Sequence, residues 1–103
     1  MAYILRFVQR YQPKDREAFM NLEAKFAALE QRRSDFPKGR RSQPYVGREP
    51  LNTLIWECEF PSLAEAQAAL ARISSDPEHA ALFLQQVPYM GELYTEINEV
   101  LDF

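Results

Sequence analysis

Between Leu54 and Val87 the chain has little freedom in what it can become. Leu54-Ile55-Trp56-Glu57-Cys58-Glu59-Phe60 is rich in β-branched and aromatic residues and stops at Pro61, which reads as a strand and its end. Ser62, with Glu65 three residues on, is a capping box that satisfies backbone N–H groups left free at a helix start. The helix it opens, over 62–74, carries Leu63, Ala66, Leu70 and Ile73 on one stripe, the spacing of a face that must be covered. Asp76-Pro77 then starts a second helix, a capping acid before a proline at the first helical position, and Pro88 stops it. Strand, capped helix, capped helix is half of a small α+β domain.

The other half precedes and follows it. Residues 3–11 alternate as a strand, with Tyr3, Leu5, Phe7, Gln9 and Tyr11 on one face and Ile4, Arg6, Val8 and Arg10 on the other. Pro13 leads into a helix over about 14–33, whose Phe19, Leu22, Phe26 and Leu29 form one apolar stripe; Arg16, Glu17, Glu23 and Lys25 fall on its solvated side. Prolines and glycines punctuate residues 34–50, a loop around a short edge strand near Arg41–Val46. The strand over 53–60 follows, and residues 91–101 alternate once more, with Leu93, Thr95, Ile97, Glu99 and Leu101 on one face.

The order β-α-β-β-α-α-β makes a ferredoxin-like α+β fold: one four-stranded antiparallel sheet with the helices on one face. At 103 residues the chain, 1–103, is expected to be a single domain with one two-layer core. The second sheet face mixes Ile4, Val8, Ile55, Tyr94 and Val100 with Arg6, Arg10, Glu57, Glu59 and Glu96. Apolar residues set among opposite charges suit a homodimer interface.

A net charge of −3 and a pI near 5.2 argue against an electrostatic draw to nucleic acid or to an anionic membrane. Arg6 and Arg10 interrupt the apolar N-terminus before a signal-peptide core forms, and no apolar run approaches the roughly 20 residues of a membrane span. A cytoplasmic protein is expected. Cys58 is the only cysteine, which excludes an intrachain disulfide and a cysteine-held metal. The motifs of phosphate-binding loops, dinucleotide folds and zinc proteases are missing, so no metal and no cofactor is expected.

The run Gly47-Arg48-Glu49-Pro50-Leu51-Asn52-Thr53-Leu54-Ile55-Trp56-Glu57, then Pro61-Ser62-Leu63-Ala64-Glu65-Ala66 and Ser75-Asp76-Pro77-Glu78, resembles NIPSNAP-like proteins. The opening Tyr3-Ile4-Leu5-Arg6 with Tyr11-Gln12-Pro13 is similar to that family's first strand. The resemblance implies the dimeric α+β barrel superfamily, which includes antibiotic-biosynthesis-type monooxygenases. In it two sheets pack into a barrel, and ligands sit between each sheet and its own helices. Haem-degrading members use an asparagine on the first strand, a tryptophan on a helix and a histidine on the next helix. Here only His79 matches loosely, since the first strand offers Phe7 and Gln9 and helix 62–74 holds no tryptophan; haem chemistry is not expected.

His79, the only histidine, sits in the first turn of the helix that Asp76 caps, where the helix dipole favours neutral imidazole. It borders the stripe Ala80-Phe83-Leu84-Val87, expected to face the sheet, and is the candidate general base; the alternative is a half-buried histidine that helps the cap. Gln9, Tyr11, Trp56 and Phe83 are the candidate ligand contacts. Trp56 also suits a core tryptophan, Tyr11 a cap on the sheet edge, and Cys58 a buried, inert thiol. Arg32, Arg33, Lys38, Arg40, Arg41 and Arg48 gather half of the basic residues in or beside one loop, either as an anion site or as a soluble loop. Two functions stand side by side. One is a ligand-binding protein or cofactor-independent monooxygenase-like enzyme for a small apolar or aromatic molecule; the other is a non-catalytic interaction protein using its dimer surface and basic loop.

Overall fold

The computed structural model describes residues 2–103. Strand β1 is Tyr3–Tyr11. A 3-10 turn, Pro13–Asp15, leads into helix α1, Arg16–Arg32. Edge strand β2 is Arg40–Ser42 and strand β3 is Thr53–Phe60. Helices α2, Leu63–Ser75, and α3, Pro77–Gln86, follow; a second 3-10 turn, Val87–Tyr89, passes into strand β4, Met90–Glu99. Both expected caps form: Ser62 Oγ accepts the Glu65 N–H at 3.2 Å, and the Asp76 carboxylate accepts the His79 N–H at 2.9 Å.

The four strands pair antiparallel in the order β2-β3-β1-β4, with the helices on one face: the α+β, ferredoxin-like arrangement expected. Register decides what that face carries. Leu5 lies opposite Cys58 on one side and Ile97 on the other, and Phe7 opposite Trp56 and Thr95. Leu5, Trp56, Leu29, Phe36, Ala69 and Ile73 form the main core; Tyr11, Phe19 and Leu54 form a second cluster at the far end of β1. Phe7 stacks on Trp56 at 5.1 Å between ring centres. Leu5 and Phe19 are wholly buried, each contributing on the order of 1.5–3 kcal/mol from lost water contact.

Four local expectations are corrected. The edge strand is three residues long and ends before Pro44, whose missing N–H cannot extend the pairing to Val46. In α2 the buried stripe is Ala66-Ala69-Ile73, while Leu63 is exposed, because small residues bring the helix close to the sheet. In α3 the inward side is His79-Leu82-Phe83-Gln86, and Ala80, Leu84 and Val87 point to solvent. Glu23, expected on the solvated side of α1, is buried together with Glu30.

The opposite sheet face satisfies its own charges. Arg6 bridges Glu57 and Glu96 at 3.0 and 2.9 Å. Arg10 bridges Glu92 at 2.9 Å and Glu49 at 3.3 Å, and Tyr94 donates to Glu49. Glu49 belongs to the segment before β3, which Asn52 ties to Tyr11 by two backbone-directed hydrogen bonds of 3.1 and 2.8 Å. Val8 and Ile55 are therefore buried within one chain. Four of the six clustered basic residues are likewise engaged internally. Arg32 pairs with Glu78, Arg33 with Asp35 and Asp76, and Arg41 with Glu23 and Glu30, while Lys38 donates to three backbone carbonyls. Among the described residues no helix is long and apolar enough to cross a membrane.

Candidate functional site

A cavity of about 40 Å³ lies between the sheet and the helices. Its walls are aromatic: Phe7 and Trp56 rise from the sheet, Phe26 from α1, Phe36 from the loop and Phe83 from α3. Its polar lining comes from Gln9 on β1, Glu23 and Glu30 on α1, Arg41 on β2, and His79 and Gln86 on α3. Glu23 and Glu30 are seven residues apart, two helical turns, so both carboxylates reach the same side of α1.

The guanidinium of Arg41 joins them. Its Nε lies 2.6 Å from Glu23 and its Nη2 is paired with Glu30. Burial works against the Arg41 charge, yet the hydrogen bond to Glu30 and the Glu23 charge outweigh it and leave the group more firmly protonated than usual. The Trp56 indole N–H donates to Glu30 at 3.2 Å and the Gly39 N–H at 3.3 Å. The Gln86 side-chain N–H2 donates to Glu23 at 3.0 Å and to the Phe19 carbonyl at 3.4 Å. Both partners are acceptors, so this orientation of the amide is the one the network requires. It leaves the wholly buried Gln86 Oε1 with no partner; Gln9 Oε1 is buried and unpartnered as well.

His79 turns its ring inward against Phe26, 4.7 Å between centres, and Phe36, 6.3 Å. Burial lowers its pKa below the ordinary 6.5, against the raising influence of Asp76 and Glu30. A neutral imidazole in an aromatic setting can accept a proton from a bound hydroxyl or ammonium. Cys58, on the same sheet face as Trp56, is not part of the cavity lining: burial, with Glu30 and Glu59, pushes its thiol up and disfavours the reactive thiolate.

Of the residues singled out in the sequence, Gln9, Trp56, His79 and Phe83 meet at this cavity. Tyr11 does not. Its ring stacks on Phe19 at 4.9 Å, and its hydroxyl accepts from Arg16 at 3.2 Å, in the second core cluster. Glu23, Glu30, Arg41 and Gln86 escaped sequence reasoning. The only signal was a pair of acids two turns apart on a helix facing an arginine-bearing edge strand.

A ferredoxin-like α+β domain with an aromatic-walled, acid-lined cavity beneath its helices is thus the class that fold and site define. Solved structures share that fold over the whole chain. A NIPSNAP family protein from Agrobacterium tumefaciens matches with a TM-score of 0.78 at 13% identity, covering 100% of this chain and 96% of that one. A NIPSNAP domain protein from Burkholderia xenovorans gives 0.76 at 16% identity, covering 100% and 97%. A Nitrosomonas europaea protein described as a candidate antibiotic biosynthesis monooxygenase gives 0.68 at 12% identity, covering 97% and 90%. No protein-family model matches the sequence, and no curated protein matches it. The likeness to NIPSNAP proteins noted in the sequence therefore holds for the fold.

Proposed function

We propose that this chain is a small-molecule-binding protein, acting as a homodimer, whose ligand enters the cavity between sheet and helices. The observation that carries this reading is an aromatic-walled cavity lined by the inward ring of His79 at one end of α3 and by the buried, unpartnered carbonyl of Gln86 at the other. Each offers a hydrogen-bond-donating group an acceptor inside aromatic walls. The cavity, about 40 Å³, has room for the head of a ligand, whose aromatic body would lie along the half-buried Phe83 in its wall. If the bound molecule is turned over, His79 takes the proton from that head, and molecular oxygen as co-substrate would accept the electrons of the resulting anion; the Nitrosomonas neighbour supports this class by analogy of fold. The interaction-protein reading loses ground because four of the six clustered basic residues are already paired internally. The reading retains a cytoplasmic setting, where the single Cys58 thiol stays reduced.

The test is a thermal-shift series with phenol, catechol and hydroquinone on wild type and His79→Ala. Wild type should be stabilised by at least one compound and the variant by none. Equal shifts in both proteins would remove His79 from the site.

A further inference from the structure

The cavity holds two acidic side chains against one basic one: Glu23 and Glu30 share the single guanidinium of Arg41. Burial on this scale normally demands that charges be matched. The mismatch has the sign of a missing cation. A second observation agrees. Gln86 is wholly buried, its amide orientation is dictated by Glu23 and Phe19, and the oxygen left over has no partner. The oxygen calls for a hydrogen-bond donor and the acids for positive charge. Water would satisfy the oxygen but not the charge.

The wall chemistry narrows the cation. Among the described residues no group of three or more histidine, cysteine or acidic side chains is placed to hold a metal ion. The aromatic side chains Phe7, Phe26 and Trp56 that line the cavity with the acids suit an organic cation, whose apolar body they can pack against. A primary ammonium brings three N–H donors to these carboxylate and amide acceptors, whereas a trimethylated one has no N–H to offer them.

We infer that the cavity selects a primary ammonium head group, its three N–H donors meeting Gln86 Oε1 and the Glu23–Glu30 pair, with an apolar body reaching out past Phe83. The inference rests on the ligand-binding reading above and names the class of ligand for it.

Quenching of Trp56, the only tryptophan and itself part of the wall, reads occupancy directly. Benzylamine, benzyl alcohol and benzoate are titrated into the intact protein. Benzylamine should saturate the signal, benzyl alcohol should bind at least about tenfold more weakly, and benzoate should not saturate. Benzyl alcohol binding as tightly as benzylamine overturns the cation preference and leaves the binding cavity standing. Silence from all three overturns both. A benzylamine signal abolished by magnesium chloride, but not by sodium chloride of equal ionic strength, assigns the site to a metal and overturns the inference. Gln86→Met should weaken benzylamine about tenfold, and unchanged benzylamine affinity in that variant overturns it. The wild-type series decides the matter even if Gln86→Met does not fold.

Discussion

Arg41 on the edge strand lies 2.6 Å from the buried carboxylate of Glu23 on helix α1, and the same guanidinium is paired with Glu30 one heptad further along. This tie joins the shortest strand to the longest helix. Removing the cation strands two buried acids, so Arg41→Met should destabilise the fold by about 3–5 kcal/mol. The triple variant Glu23→Gln, Glu30→Gln, Arg41→Met should recover most of that loss, since it removes charges rather than exposing them. Urea denaturation of the two variants gives the comparison. A triple variant no more stable than the single one would show that the tie contributes through packing rather than charge.

Burial holds His79 below its ordinary pKa of 6.5 in the folded chain. As pH falls the unfolded chain takes up this proton first, so the group favours folding above about pH 6.5 and the contribution is lost as pH drops towards the folded value. Wild type should therefore lose more Tm between about pH 7.5 and about pH 5.5 than His79→Phe. Parallel losses would place the histidine in a solvated setting.

Gly39 sits against the indole. A Cβ added there would lie 1.9 Å from Trp56 Cε2, closer than any real contact. Gly39→Ala should cost about 1–3 kcal/mol by overpacking and shift Trp56 emission to the red as the ring is pushed toward water. Both readouts come from one thermal melt followed by fluorescence.

Light scattering at micromolar concentration should give about twice the chain mass of 12.0 kDa. Ile4, half-buried on the sheet face away from the helices, is expected at the interface, and Ile4→Asp should return the species to a single chain. A wild type that scatters as 12.0 kDa would remove the dimer from the proposal.

The parts of the fold that could be read in advance were those written by neighbours in the chain. Alternation placed β1 and β3 at their observed bounds, and Ser62 and Asp76 announced two helices because a cap lies within three residues of what it caps. The site was written differently. Glu23 belongs to a helix whose apolar stripe is complete without it, and the cation that justifies its burial stands 18 residues away in sequence. Hydrophobic periodicity has no means of seeing such a pair. Helix α3 misled for a related reason: it carries apolar residues on two sides, and its deepest residue is Gln86.

The two acids two turns apart also act on uniqueness, apart from any effect on strength. If α1 slid by one residue, an apolar core would find other hydrophobic side chains nearly as good. The fork of Arg41 would not, because its N–H directions match only one placement of Glu23 and Glu30. The helix is thereby held to a single axial position over the sheet, and with it the spacing between Phe26 and His79, so the shape of the cavity is set by an ion pair that an apolar replacement would leave free to drift.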